Sequence, residues 1–229
     1  MSAKFETRDV VVPGDLLFEG RTRTGDNTYR REGNLYANRF GLVNYSKDRV
    51  SVIALEAGFV PLVGDLVIGD IIDLELGQWK VDIGSETGAI LTINDAIDKP
   101  FRTYLDMTKI LDVGDTIIAK IVDLDRRRTP ILSILGRDLG KARDGFIIKI
   151  TPSKIPRIIG KRGSMINMIL KETRCQVTIG QNGRILISGK NRENEELVVK
   201  VINKIEAEAH TSGLTNRIQE YLKVQKTLP

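Results

Sequence analysis

Two glycines separated by two basic residues place the strongest local constraint on how this chain can fold. They belong to the run Ile158-Ile159-Gly160-Lys161-Arg162-Gly163-Ser164-Met165-Ile166. Glycine adopts backbone angles that other residues avoid, and it lets a second chain approach the backbone closely. The two cations lie just before a predicted helix, whose N-terminal end favours anions. The run therefore predicts a tight loop between two short helices that can hold a polyanionic chain.

The residues around this loop predict a small α+β unit. From residue 143 onward the pattern predicts a strand, two short helices, a hairpin turning at Asn182-Gly183 and a closing helix. These elements cover residues 146–150, 153–159, 164–172, 176–179 and 184–187 and the apolar stripe Leu197, Val198, Val201, Ile202 and Ile205. The order is β-α-α-β-β-α. Residues 211–229 are predicted either to form one more amphipathic helix or to stay mobile.

This element order, with a GXXG loop between its two short helices, resembles a type I KH domain, here residues 143–210. The resemblance implies that the loop clamps ~4 nucleotides of single-stranded RNA. The RNA-binding residues that it implies are Gly160, Lys161, Arg162 and Gly163, with Lys154 and Arg157 as basic neighbours. The sequence leaves open whether the loop is exposed or covered by the preceding domain. In the second case the two glycines would serve packing instead.

The distribution of charge agrees with a nucleic-acid partner for the C-terminal part of the chain. Residues 141–229 hold 17 Lys and Arg against 8 Asp and Glu, whereas residues 1–140 hold 18 against 22. Clustered cations bind phosphate backbones by releasing counterions. A solvated basic surface without a partner would have the same composition, so charge alone does not decide.

Residues 65–140 predict a five-stranded OB-type barrel. The strand candidates are residues 66–72, 77–83, 88–93, 115–124 and 130–135, with a longer connection of some helical character around residues 101–107. The unit resembles the S-one-type RNA-binding domain in three runs, Val67-Ile68-Gly69, Trp79-Lys80-Val81-Asp82-Ile83 and Gly88-Ala89-Ile90-Leu91. Strand alternation places Trp79 with Val81 and Ile83 on an apolar face, so we predict a core role for Trp79. Lys80, on the other face, is the better RNA candidate.

A second RNA candidate in the barrel is the run Asp125-Arg126-Arg127-Arg128-Thr129-Pro130. It falls between the fourth and fifth strands, where OB-folds bind oligonucleotides. Residues 65–140 carry 9 basic and 14 acidic side chains, so any contact with RNA in this domain must be local.

Residues 1–64 predict a small β domain of short hairpin strands, including residues 41–45 and 49–54. Three similar turns, Val12-Pro13-Gly14-Asp15, Val63-Gly64-Asp65 and Val113-Gly114-Asp115, each precede a predicted strand. The overall fold class is mainly β with a C-terminal α+β domain.

Catalytic and metal sites are not predicted. Cys175 and His210 are the only residues of their types, which rules out an internal disulfide and a Cys/His zinc cluster, and we predict that His210 is a surface residue. Asp123 and Asp125 alternate along one strand but have no evident third ligand. We expect no cofactor, and the absence of a long apolar run or signal-type N-terminus predicts a cytoplasmic protein that does not enter a membrane.

The order of a small β domain, an S-one-type barrel and a single KH domain closely resembles the KH-containing cap subunit of the archaeal RNA exosome, the ribosomal-RNA-processing protein four family. The resemblance covers essentially the whole chain and includes Val12-Pro13-Gly14-Asp15 and Trp79-Lys80-Val81-Asp82-Ile83. It implies a non-catalytic subunit that recruits RNA, with A-rich tails favoured, for phosphorolytic 3′–5′ degradation and processing. Three copies, alone or mixed with the other cap subunit, would sit on a hexameric ring of RNase PH-like subunits. Residues 1–64 would dock to that ring, and Lys80, Arg126, Arg127 and Arg128 would guide the strand to the pore.

Two other families combine the same RNA-binding modules. Nus-type transcription elongation factors place an S-one-type barrel before two KH domains, and only 19 residues follow residue 210 here. Polynucleotide phosphorylase places its KH domain first, behind two large catalytic domains that this chain lacks. A free-standing Nus-type RNA-binding factor therefore stays the main alternative, and an enzyme is the weaker one.

Overall fold

The computed structural model describes residues 3–46, 49–55, 58–98, 106–142, 144–209, 211 and 213–227. The chain divides into two compact units, Met1–Ala57 and Gly58–Pro229. Each of the two units is built around hydrophobic side chains that alternate along its strands or lie on one face of its helices.

In its described residues, the first unit contains seven short strands in two sheets. They are β1 (Val10–Val11), β2 (Leu16–Phe18), β3 (Arg23–Thr24), β4 (Thr28–Arg31), β5 (Asn34–Ala37), β6 (Gly41–Ser46) and β7 (Arg49–Ala54). One sheet has the order β1-β6-β7-β3 and the other β2-β5-β4. The Tyr45 hydroxyl, on β6, donates a hydrogen bond of 3.0 Å to the carbonyl of Leu17 on β2 and so links the two sheets. The predicted β domain is thereby confirmed.

The second unit begins with a closed barrel. Its elements are β8 (Leu66–Glu75), β9 (Gln78–Asp82), β10 (Ala89–Thr92), α1 (Ile93–Ala96), β11 (Thr116–Leu124), β12 (Pro130–Ser133) and β13 (Gly140–Lys141). Strand β12 pairs with β10 in parallel and with β11 antiparallel, which closes a barrel of the five strands β8 to β12, and β13 pairs with β11 as an additional short strand. The predicted OB-type architecture is therefore confirmed. The helical character predicted around residues 101–107 falls largely outside the described residues, and a 3-10 turn follows at Met107–Lys109.

The three Gly-Asp segments, at residues 14–15, 64–65 and 114–115, form the same turn. In each, the aspartate carboxylate accepts a hydrogen bond of 2.8–3.0 Å from the backbone N–H three residues earlier. The glycines have φ angles of 97°, 98° and 93°, which only glycine adopts without strain. Two of these turns extend the pairing of β8 with β11, because the N–H of Gly64 donates to the carbonyl of Ile121 and that of Gly114 donates to the carbonyl of Ile71, both at 2.8 Å. The two turns thus occupy equivalent places, each beside a β-bulge of the opposite strand.

A three-stranded antiparallel sheet covered by helices completes the second unit. Its elements are β14 (Phe146–Lys149), α2 (Ile155–Ile159), α3 (Ser164–Thr173), β15 (Gln176–Ile179), β16 (Arg184–Ser188), α4 (Arg192–Glu208) and α5 (Leu214–Thr227). The sheet order is β14-β16-β15, as the β-α-α-β-β-α prediction requires. The C-terminal segment contains the helix α5. In the described parts of the chain, no helix has the length and apolar character needed to cross a membrane.

Helix α5 is fixed to the rest of the KH-like fold. Its residues Leu214, Ile218 and Leu222 are buried in the core. The carboxylate of Glu208 accepts a hydrogen bond of 2.9 Å from Arg217 and pairs with Lys204 at 2.7 Å. These two cations, Lys204 first, lower the pKa of Glu208. The C-terminal helix is therefore packed firmly against the domain and forms part of its surface.

Candidate nucleic-acid interface

The GXXG loop has a backbone that requires glycine at its first position. Gly160 ends α2 with φ 73° and ψ 174°. A Cβ atom at Gly160 would lie 2.7 Å from the Cβ and 2.8 Å from the backbone nitrogen of Met165. Gly163 precedes α3 with φ 78°. Gly160 therefore lets α2 end close to the first turn of α3, and Gly163 supplies the left-handed backbone just before α3.

The two cations of the loop point away from the core. Lys161 and Arg162 are exposed, and Arg162 has a left-handed backbone with φ 54° and ψ 33°. A residue other than glycine in this region is strained by roughly 1–2 kcal/mol. Of the basic neighbours predicted for this site, Arg157 is exposed and Lys154 is half-buried. The predicted KH residues thus lie on α2, the turn before it and the loop that follows it.

The barrel contacts the KH-like fold at the β15–β16 turn, away from the residues of the GXXG loop in sequence. The side-chain amide of Asn182 donates hydrogen bonds to the carbonyls of Ile68, at 2.7 Å, and Ile83, at 2.9 Å. Its oxygen accepts from the N–H of Ile68 at 3.3 Å. The N–H of Gln181 donates to the carbonyl of Leu66 at 2.8 Å. The hairpin turn therefore joins the start of β8 through the backbone.

A buried arginine next to this turn completes the contact between the two domains. Arg184 is only 4% exposed. Its guanidinium donates to the carboxylate of Asp70 at 3.0 Å, to that of Asp82 at 2.5 Å and to the Asp82 carbonyl at 2.9 Å. Burial opposes ionisation of Asp82, but hydrogen bonds from the Gly84 N–H and from Arg184 outweigh it, so the pKa of Asp82 is lowered. A buried cation with this many acceptors is compensated.

These contacts answer the question that the sequence left open about the loop. Within the described residues, the barrel covers the β15–β16 turn and leaves Lys161 and Arg162 exposed. The sequence analysis missed Asn182 and Arg184 as contact residues. A signal was available for Arg184, because it lies on the strand face opposite to the buried Ile185 and Ile187 and carries a charge there.

The arginine-rich turn of the barrel is well formed. The carboxylate of Asp125 accepts hydrogen bonds of 2.7 Å from the backbone N–H groups of Thr129 and Arg127. These bonds, that from Thr129 first, lower the pKa of Asp125. The three arginine side chains, Arg126, Arg127 and Arg128, are exposed. Asp125 thus holds the turn so that three guanidinium groups face solvent.

Lys80 and Trp79 have different surroundings from each other. The ammonium group of Lys80 pairs with the carboxylates of Glu75 and, at 3.5 Å, Asp73, and the bond to Glu75 raises the pKa of Lys80. Trp79 is fully buried, and its indole N–H donates to the carbonyl of Leu111 at 2.9 Å. The core role predicted for Trp79 is confirmed. Lys80 is exposed in part, but its charge is shared by two carboxylates.

The described residues contain no group of three or more His, Cys, Asp and Glu side chains that could hold a metal ion. Asp123 uses its carboxylate to accept a hydrogen bond of 2.8 Å from the Leu124 N–H. Cys175 is buried, and burial raises the pKa of its thiol. His210 lies outside the described residues, so its predicted surface position is not described.

A closed OB-type barrel joined to a KH-like fold with an exposed cationic loop defines a class of nucleic-acid-binding protein built from two binding modules. Family comparisons divide the chain in the same way. Residues 8–56 match the exosome RNA binding protein RRP4 N-terminal domain, residues 58–123 the S1 domain of RRP4 and residues 145–193 a KH domain.

Curated relatives extend over nearly the whole chain. The chain is 40% identical to the exosome complex component Rrp4 of Methanobrevibacter smithii, over 96% of this chain and 72% of that protein. It is 44% identical to the Rrp4 component of Pyrococcus furiosus, over 95% and 83%. The chain therefore belongs to the family of exosome complex component Rrp4, and the predicted family is confirmed.

A solved structure is similar as well. A crystal structure assigned to an exosome complex RNA-binding protein superposes with a TM-score of 0.70 at 38% identity. The match covers 74% of this chain and 98% of that one.

Proposed function

We propose that this chain is the non-catalytic RNA-binding cap subunit of a cytoplasmic exosome. The observation that carries the proposal is the exposed loop Gly160–Gly163, whose two cations face solvent while the barrel contacts the same domain at the β15–β16 turn. Membership of the Rrp4 family over nearly the whole chain supports the link to the exosome. The described residues contain no metal-binding cluster that would suggest a hydrolytic site.

The RNA would be held by phosphate contacts at two places in the second unit. In the KH domain, residues 143–210, the groups are Gly160, Lys161, Arg162, Gly163, Lys154 and Arg157. In the barrel, residues 65–140, the turn that carries Arg126, Arg127 and Arg128 would guide the strand. Lys80 would add less, because Glu75 and Asp73 already neutralise it. Several weak contacts on one platform raise the effective concentration of an RNA 3′ end.

The N-terminal domain, residues 1–64, would dock to a ring of RNase PH-like subunits. An exposed apolar row supports this role. Val10 on β1 is 56% exposed, and Ile53 on β7 is 54% exposed. Both residues pair with Leu42 on β6, which lies between them in the sheet. Exposed apolar patches on a folded domain often mark contacts with other proteins.

The ring would perform the chemistry. Inorganic phosphate would attack the RNA 3′ end in the ring, and three cap copies, alone or mixed with the other cap subunit, would select RNA with A-rich tails for entry. The segment 211–229 contributes helix α5 to the surface of the cap.

The test measures RNA binding and phosphate-dependent RNA decay by the purified chain, alone and with an archaeal RNase PH-like ring. We expect the chain to bind RNA, to degrade none alone and to accelerate decay by the ring. A double variant, Lys161→Ala with Arg162→Ala, should lose most of the binding, and Lys200→Ala, an exposed lysine on α4, serves as the matched control. Decay by the chain alone would overturn the non-catalytic assignment. Binding without joining or stimulating the ring would favour a free-standing factor of Nus type.

A second experiment isolates docking. Ile53→Asp places a charge in the apolar row and should prevent co-elution with the ring while RNA binding stays unchanged. Thr24→Asp, also exposed and on β3 of the same sheet, is the control and should still co-elute. Normal co-elution of the Ile53→Asp variant with the ring would show that the docking surface lies elsewhere on the chain.

A further inference from the structure

A polar cleft lies beside the GXXG loop, on the side where the C-terminal helix begins. It has a volume of about 470 Å³. One wall is formed by α2 and the loop, with Arg157, Lys161 and Ser164, and the other by the first residues of α5, with Thr215 and Asn216. The volume lies in the range of about 300–1,000 Å³ that is common for small-ligand sites. One nucleotide fits within such a space.

The walls of this cleft are held in place. The buried Leu214 and Met165 form its base and belong to the hydrophobic core. Arg217, one turn into α5, donates to Glu208 at the end of α4. The cleft is therefore part of the folded domain and does not depend on a loop closing over a ligand.

The chemistry of the lining suits a segment of RNA. Arg157 and Lys161 are exposed, and neither forms an ion pair with another described residue. Ser164, Thr215 and Asn216 add hydroxyl and amide groups that are also exposed. Cations next to uncharged donors and acceptors can hold a phosphate and, beside it, a ribose hydroxyl or a base edge.

The contact with the barrel also restricts where a bound strand can run. The β15–β16 turn is occupied by the barrel through Asn182 and Gln181. An RNA chain held at the loop therefore cannot continue over that turn. The cleft toward α5 is an open space that adjoins the loop.

We propose that this cleft binds one further nucleotide of single-stranded RNA, next to those held by the GXXG loop. The proposal rests on the RNA-binding function proposed above. Arg157 and Lys161 bind the phosphate, and the Asn216 side chain, with the Thr215 hydroxyl, contacts the ribose or base. Helix α5 thereby extends the KH surface instead of only closing the core.

The first test fills the cleft in the full chain. Asn216→Trp should weaken binding of single-stranded oligonucleotides by about 3- to 10-fold in fluorescence anisotropy, the effect expected for the loss of a few polar contacts. Asn203→Trp introduces the same side chain at an exposed site on α4 outside the cleft and should bind as the wild type does. Thermal unfolding of both variants checks that the fold is kept.

The second test observes the cleft directly and does not depend on the tryptophan variant. Cys175 is buried, so the new cysteine of Thr215→Cys can be labelled selectively with a thiol-reactive reagent that carries a trifluoromethyl group. Its 19F resonance should shift when the oligonucleotide is added, whereas the same label at Asn203→Cys should not. One outcome would overturn the cleft site alone. RNA binding would then depend on Lys161, but the 19F resonance at Thr215→Cys would not shift and Asn216→Trp would bind RNA as the wild type does. An absence of RNA binding by the wild-type chain would overturn the proposed function and the cleft with it.

Discussion

The side-chain amide of Asn182 and the peptide group of Ile68 form a two-way hydrogen-bonded pair between the KH domain and the barrel. The amide nitrogen donates to the Ile68 carbonyl at 2.7 Å, and the amide oxygen accepts from the Ile68 N–H at 3.3 Å. All these groups are buried, so the pair replaces the hydrogen bonds that water would make. The Asn182 side chain therefore fixes the placement of the KH domain against one peptide group of the barrel. A shift by one residue along β8 would break both hydrogen bonds.

Asn182→Ala should destabilise the second unit by about 2–4 kcal/mol, because three buried backbone groups of Ile68 and Ile83 lose their partner. Urea unfolding measures this change. Gln181→Ala is the matched control, since the Gln181 side chain is exposed and its contact with Leu66 uses the backbone N–H. Equal stability of the two variants would show that the side-chain amide does not hold the domains together.

In the Arg184→Met variant, the free energy of unfolding should depend less on pH in the acid range. The pKa of Asp82 is lowered in the folded chain, so its ionised form stabilises the fold above the unfolded pKa of about 3.9, and this contribution is lost as the pH falls through the folded pKa. Without Arg184 the pKa of Asp82 rises toward its ordinary value. The difference in unfolding free energy between wild type and variant should shrink from about pH 6 to pH 3. Arg192→Met, on an exposed arginine, should show no such trend.

Arg162→Gly should separate stability from binding. Glycine relieves the left-handed strain at φ 54° but adds freedom to the unfolded chain, so we expect a net gain of about 0.5 kcal/mol. The lost cation should reduce the slope of log affinity against log salt by about 0.7, the value for one phosphate of a single strand. Arg174→Gly, at φ 55° beyond the end of α3, should gain similar stability and keep the slope. An unchanged slope for the Arg162 variant would contradict a phosphate contact there.

Arg127→Ala should weaken RNA binding more than Lys80→Ala. The guanidinium of Arg127 faces solvent, whereas Lys80 is already neutralised by Glu75 and Asp73. We expect a reduction of the salt slope of about 0.7 for the arginine variant and little change for the lysine variant. Arg137→Ala, on a highly exposed arginine of the same domain, is the control. A larger effect at Lys80 would mean that RNA displaces its two carboxylate partners.

Trp79 provides a fluorescence signal that should report unfolding but not RNA binding. Its ring is fully buried in the barrel and its N–H bonds the Leu111 carbonyl, so a base cannot stack on it. Emission should therefore stay constant during an RNA titration and shift to longer wavelength in urea. Quenching by RNA at saturating, native conditions would show that the barrel opens on binding.

Much of this fold could be predicted because its signals are local. Alternation placed Trp79 with Val81 and Ile83 in the core, and Asn182-Gly183 marked the turn of the KH hairpin. The pairing of Lys80 was missed, although a two-residue turn at Leu76-Gly77 would have placed Asp73 opposite Lys80 on neighbouring strands. The alternation of side chains along one strand gives its two faces, but the partners of Lys80 follow only from the register between β8 and β9.

The three modules, the glycine turns and the cationic GXXG loop can be predicted from the amino-acid sequence alone, because each depends on backbone preferences and periodicity within a few residues. Which face of the KH domain meets the barrel depends on contacts between residues far apart in the chain. That choice rests on Asn182 and Arg184, whose partners Ile68 and Asp70 lie 114 residues away in the chain. Buried polar contacts of this kind stabilise only when both partners meet with correct geometry, and a sequence pattern does not contain that geometry.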